Sequence, residues 1–157
     1  MPGQLTHYFT DTADGAWAEF LRHEEISDPE DLATVRRALW AVEIGDPPPL
    51  QPQLARETLT GGRASWQGCQ READRSRSGG ALGLTAPSAA LHSGGARGWR
   101  VDRGLQPGPA RDGMVFVFFE RRPDFVGWQT TAAGHPGEEL LARVRHFDEP
   151  LRDTGES

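Results

Sequence analysis

The chain has 157 residues, 36% of them hydrophobic and 25% charged, and a formal net charge of −6. The length fits one domain, and the acidic balance argues against a general nucleic-acid or membrane-surface role, because such binders present a basic face to phosphates. The 19 glycines and 12 prolines point to a folded core threaded by long loops.

The single cysteine, Cys69, excludes a disulfide within the chain and gives no sign of an oxidising compartment. The N-terminus lacks the basic-then-apolar pattern of a signal peptide. The longest apolar run, Met114–Phe119, is far too short to span a bilayer. The expectation is a cytoplasmic protein with no membrane partner and no nucleic-acid partner. Every one of the 17 basic residues is arginine, and asparagine is also absent, as a GC-rich coding sequence would give.

In chain order, residues 4–9 predict a short strand. Asp14 and Gly15 open a helix to about Glu24, with Trp17, Phe20 and Leu21 at i, i+3, i+4 on one stripe. Asp14 is the expected N-cap. Ser27-Asp28-Pro29-Glu30-Asp31 is a second helix start, with a capping side chain, a first-turn proline and following acids. That helix is expected to end near Arg36 or Arg37. Residues 38–44 read as a strand, broken by the Gly45–Pro49 stretch. A proline-rich loop leads to Gly61-Gly62, and residues 65–77 read as a polar helix. Residues 81–85 read as a buried strand ending at Ala86-Pro87-Ser88. Residues 92–112, rich in Gly, Pro and Arg, read as mostly loop. Residues 114–119 are the clearest strand, apolar on both faces and so central in a sheet. Residues 125–130 predict a strand, 138–142 a helical turn and 143–147 a final strand. The order is no regular βαβα alternation. It predicts an α+β domain with a mixed, mostly antiparallel sheet and about three helices.

Few residues announce chemistry on their own. His7, His23, His92, His135 and His146 are scattered, with no ligand-like spacing to each other or to Cys69, so no metal site is expected. Cys69 on its polar helix has no base beside it and reads as an incidental thiol. The glycine-rich segments 61–63 and 93–98 each carry an arginine but match no phosphate-binding motif. Glu19 sits among Trp17, Ala18, Phe20 and Leu21. A carboxylate there is either partly buried with a perturbed pKa, or solvated and paired with Arg22 or His23; the pattern favours the second.

Three segments taken together shift that balance. Thr6-His7-Tyr8-Phe9-Thr10-Asp11, then Gly15-Ala16-Trp17-Ala18-Glu19-Phe20-Leu21-Arg22-His23, and later Gly80-Ala81-Leu82-Gly83-Leu84-Thr85-Ala86-Pro87-Ser88, resemble the RES-domain family. In that family a Tyr-bearing strand precedes a Glu-bearing helix, and a later strand ends in Pro-Ser. The likeness runs over residues 4–147, with 148–157 expected to be a disordered tail.

The resemblance implies an ADP-ribosyltransferase-like fold and cleavage of the nicotinamide–ribose bond of NAD, by hydrolysis or phosphorolysis. NAD would be substrate, with no cofactor. Tyr8 would pack against the nicotinamide side. Glu19 would hold ribose hydroxyls and stabilise positive charge at the anomeric carbon. Ser88 would hydrogen-bond in the same pocket. Toxins of the family pair with a helical antitoxin protein. The family's arginine precedes the Tyr strand, whereas the first arginine here is Arg22. The chain is therefore expected to be N-terminally short, with Arg63, Arg97 or Arg103 as substitutes toward a pyrophosphate. The alternatives are a non-catalytic RES-like domain that binds a nucleotide or a protein, or a degenerate fragment.

Overall fold

A computed structural model of the chain describes residues 6–46, 48, 51–52, 54, 59–60, 63–119 and 125–147. The tail 148–157, the loop glycines Gly61 and Gly62 and the side chain of Arg63 lie outside the described residues. The architecture is mixed α+β: three helices, a 3-10 helix and small antiparallel sheets among the described residues.

β1 (Thr6–Thr10) leads into helix α1 (Ala13–His23) and the short helix α2 (Pro29–Ala33). β2 (Arg37–Glu43), helix α3 (Arg63–Ser78) and β3 (Gly83–Pro87) follow. A small hairpin, β4 (Trp99–Val101) and β5 (Leu105–Pro107), precedes β6 (Met114–Phe119) and β7 (Val126–Gly134). A 3-10 helix, Glu138–Arg143, closes the described chain.

Among the described residues the expected single sheet is in fact three: β1-β6-β3, β2-β7 and β4-β5, all antiparallel. The only parallel pairing among the described residues is an isolated bridge, Gly95 to Arg111. The apolar run of β6 does sit centrally, with Tyr8 opposite Val117 on one side and Leu84 opposite Val117 on the other. Gly83 is what lets β3 come this close. A Cβ there would lie 2.2 Å from the Val117 carbonyl oxygen, so only glycine fits.

The core lies against α1. Trp17, Ala18 and Leu21 point inward to Leu32, Val35, Leu91, Leu140 and Val144. Leu21, with no exposed surface, contributes about 1.5–3 kcal/mol by leaving water. A separate aromatic cluster packs on the three-stranded sheet. Phe125 meets Phe9 edge-to-face at 5.3 Å and Phe118 at 5.0 Å, and His7 at 5.7 Å.

Several boundaries differ from the sequence expectation, each for a physical reason. Thr12, not Asp14, caps α1, its hydroxyl accepting from the Gly15 N–H at 3.0 Å. Asp14 is instead held by the Arg143 guanidinium at 3.0 Å. Of the two capping candidates, Ser27 and Asp28, it is Asp28 that caps α2 through the Glu30 N–H, but the helix stops at Ala33, with Thr34 turning the chain toward β2. The loop 92–112 contains the β4–β5 hairpin, whose turn uses Arg103 and Gly104 at positive φ. The expected strand at 143–147 is only one bridge, Val144 to Leu91, because the 3-10 helix occupies the residues before it. β7 runs on to Gly134, well past Thr130. Among the described residues no helix is long and apolar enough to cross a membrane.

Candidate functional site

A cleft of about 730 Å³ lies between α1, the β1–β6 sheet and the β2–β7 ribbon. Its first wall comes from the β1–α1 corner. β1 brings Tyr8, Phe9 and Thr10 to it, and Tyr8 is 71% exposed. Along α1, Ala13, Ala16 and Glu19 face the cleft at three-residue spacing, one side of a helix whose other side is in the core. The two alanines leave room, and the Glu19 carboxylate ends the stripe.

Glu19 is not a solvated surface acid. Burial raises its pKa above the ordinary value, and the Ser88 hydroxyl, Arg22 and His23 pull partly the other way. Ser88 Oγ donates to Glu19 Oε1 at 3.2 Å. The same oxygen accepts from the Ala90 N–H at 3.2 Å, which leaves its own proton for the carboxylate. Ser88 is itself 5% exposed, at the turn just after β3. It does not line the cleft; it stands behind Glu19 and orients it.

The turn is anchored from below. The Ala89 carbonyl accepts from the Arg22 guanidinium and, at 3.2 Å, from Arg145. Arg22 is buried and stacks over the Phe147 ring at 4.4 Å. Burial lowers its pKa, while nearby Glu19 raises it. Cys69 on α3 is within the field of Arg22, yet burial pushes its thiol upward, as for an inert residue.

Asp11 also reaches the cleft, bound to the Arg111 guanidinium and accepting from the Met114 N–H at 3.1 Å. It locks the β1–α1 corner to the start of β6. The opposite wall is the ribbon, contributing Leu39, Trp40, Ala41, Val42 and Thr130, with Ile44 beyond its end and Val115 and Phe116 of β6 between the walls.

Tyr8 and Glu19 thus line one cleft, and Ser88, outside the lining, touches Glu19 from behind. Of the pyrophosphate candidates, the side chain of Arg63 lies outside the described residues, and the other two do not join them. Arg97 and Arg103 are absent from the cleft lining, with Arg103 at the β4–β5 turn. Sequence reasoning passed over Trp40, Thr130 and Asp11. The only available signal was Trp40 in a continuous apolar run, which gives no alternation to show that one face is open. Among the described residues no three His, Cys, Asp or Glu side chains gather as a metal site.

The site defines a class no narrower than an α+β domain with an oriented, half-buried carboxylate in an aromatic-edged cleft. Comparison with protein-family models, with curated proteins and with solved structures finds no match.

Proposed function

We propose that this chain is an NAD-consuming enzyme of RES type, with an ADP-ribosyltransferase-like fold, that cleaves the bond between nicotinamide and ribose. The observation that carries the reading is the Ser88–Glu19 hydrogen bond beside a cleft that Tyr8 also lines. These are the three residues whose chemistry the resemblance requires together.

In this reaction the bond from the ribose anomeric carbon to the pyridine nitrogen breaks, and its electron pair leaves with nicotinamide. Water or phosphate then bonds to the carbon and gives up a proton to solvent. Positive charge builds on the sugar as the leaving group departs. Glu19, poorly solvated and fixed by Ser88, offers negative charge where that cation develops. A preorganised charge in a dry site is worth far more than one that water must first release. Tyr8 supplies a ring face and a polar tip to the ligand. Ser88 is a positioning residue: its donated bond keeps Glu19 in one rotamer and favours the ionised form.

The test is to incubate purified protein with NAD and follow nicotinamide release and NAD loss by chromatography, with and without inorganic phosphate. ADP-ribose as product means hydrolysis. ADP-ribose 1″-phosphate, formed only with phosphate, means phosphorolysis. Intact NAD under both conditions contradicts the proposal.

A further inference from the structure

Trp40 has no role in the chemistry just described, and it is not part of the core cluster of the described residues. It leaves 58% of its surface exposed, yet it lines the cleft. Large aromatic side chains are usually drawn into cores, and the core here takes other residues.

The ribbon that carries it is tied down at both ends and open between. At one end Gly134 abuts Trp17, so closely that a Cβ would come within 2.8 Å of the indole, and Arg37 stacks over Phe20 at 5.2 Å. At the other end Phe125, next to Val126, sits in the aromatic cluster of the three-stranded sheet. In the middle, Trp40 pairs with Gln129 and Ala41 with Trp128. Adjacent pairs point to opposite faces, so the two tryptophans stand on opposite sides of the ribbon. Trp40, with Val42 and Ile44 at alternate positions, is on the cleft side; Ala41, the small partner of Trp128, also borders the cleft, but Trp128, 54% exposed, does not.

The register shifts twice, between Arg37 and Leu39 and between Leu39 and Trp40. The Thr130 hydroxyl donates to the Leu39 carbonyl at 2.9 Å at that irregularity. Bulges re-aim side chains and bend a strand. Here they lie immediately before Trp40, where they set its direction.

We infer that Trp40 is a ligand-reading residue, a stacking platform for the planar heteroaromatic ring of a ribose-linked ligand bound between the ribbon and the Tyr8–Glu19 wall. The inference rests on the proposed ribosyl chemistry for the identity of the sugar, and on Trp40 itself for the ring. An indole face held open in a cleft stacks on any flat base. The adenine and pyridine ends of a dinucleotide share that chemistry, and the experiment separates them.

Three probes serve: AMP, nicotinamide mononucleotide, and ribose 5-phosphate, which has no ring. Each is titrated into wild type, Trp40→Ala and Trp128→Ala by calorimetry or ligand-observed NMR. Both tryptophans are more than half exposed, so both variants are expected to fold, and circular dichroism checks this. The expected result is a loss of at least about fivefold in affinity for AMP, nicotinamide mononucleotide or both in Trp40→Ala. Ribose 5-phosphate is unaffected, and Trp128→Ala matches wild type. The ring that suffers names the end of the dinucleotide that stacks. Equal binding of all probes by wild type and Trp40→Ala overturns the inference. So does an equal loss in Trp128→Ala, which would mean general damage to the ribbon, and so does a wild type that binds neither ring. NAD turnover by wild type, measured alongside, judges the proposed reaction separately. Turnover with an indifferent Trp40 defeats only this inference; ring binding without turnover defeats only the reaction.

Discussion

Helix α1 and the β2–β7 ribbon form facing walls of one cleft and are built on opposite terms. α1 buries Trp17, Ala18 and Leu21 on one side and shows Glu19 on the other, so the core fixes the carboxylate's position. The ribbon is held at its ends and leaves Trp40, Trp128 and Val126 more than half exposed. Proteins open locally where buried apolar contacts are few. The contrast suits a division of labour, with chemistry on the wall that the core holds still and ligand contact on the wall that can adapt.

Removing core support from α1 has the largest expected effect. Leu21→Ala deletes a fully buried side chain at the centre of the cluster. It should cost about 2–5 kcal/mol, read by denaturant unfolding. A loss below about 1 kcal/mol would mean that α1 is no more firmly held than the ribbon.

Next is the turn behind the carboxylate. Ser88→Ala removes the donor to Glu19 and leaves the Ala90 N–H without its acceptor. A stability loss of about 1–3 kcal/mol is expected from the same unfolding measurement. The Ser88 bond lowers the Glu19 pKa. Without it the acid limb of any NAD turnover should move to higher pH, and an unmoved limb would separate Ser88 from the chemistry.

A smaller effect, of opposite sign, comes from Glu19 itself. Its native pKa is raised by burial, so the fold disfavours the charged form. The unfolded chain binds fewer protons than the native one between the ordinary glutamate pKa and the raised value, so stability falls as pH rises through that window. Glu19→Gln should therefore melt higher than wild type at neutral pH. The gain should shrink as pH falls through the native pKa and vanish below the ordinary carboxylate range. Equal melting at neutral pH would mean a solvated carboxylate.

The smallest effect belongs to the ribbon. Trp128→Ala should change stability by no more than about 0.5 kcal/mol, as for an exposed site without partners in the core. A larger loss would show the ribbon to be structural rather than adaptable.

Local patterns carried much of this architecture in the sequence. The Trp17–Phe20–Leu21 stripe and the Met114–Phe119 run each depend on neighbours a few positions away, and both elements form as read. What was illegible depended on distant partners. Asp14 was expected to cap α1 because it precedes an apolar stripe, but Arg143, far along the chain, takes its carboxylate. The division into three sheets could not be read from strands that carry no mark of their pairing. At the site, the flanking residues of Glu19 favoured a solvated acid. Only the return of the chain at Ser88 makes it a half-buried and oriented one. Trp40 was hidden for the same reason: a run from Ala38 to Val42 with no polar break gives no hint that one face borders a cleft.

The central claim is that Glu19, oriented by Ser88, is the charge that drives ribosyl bond cleavage. The most direct test measures nicotinamide release from NAD by wild type and Glu19→Gln at equal folded concentration. The account predicts release by wild type and a fall of at least about a hundredfold in the variant, which remains folded by its cooperative thermal transition. Release that survives unchanged in Glu19→Gln would contradict it.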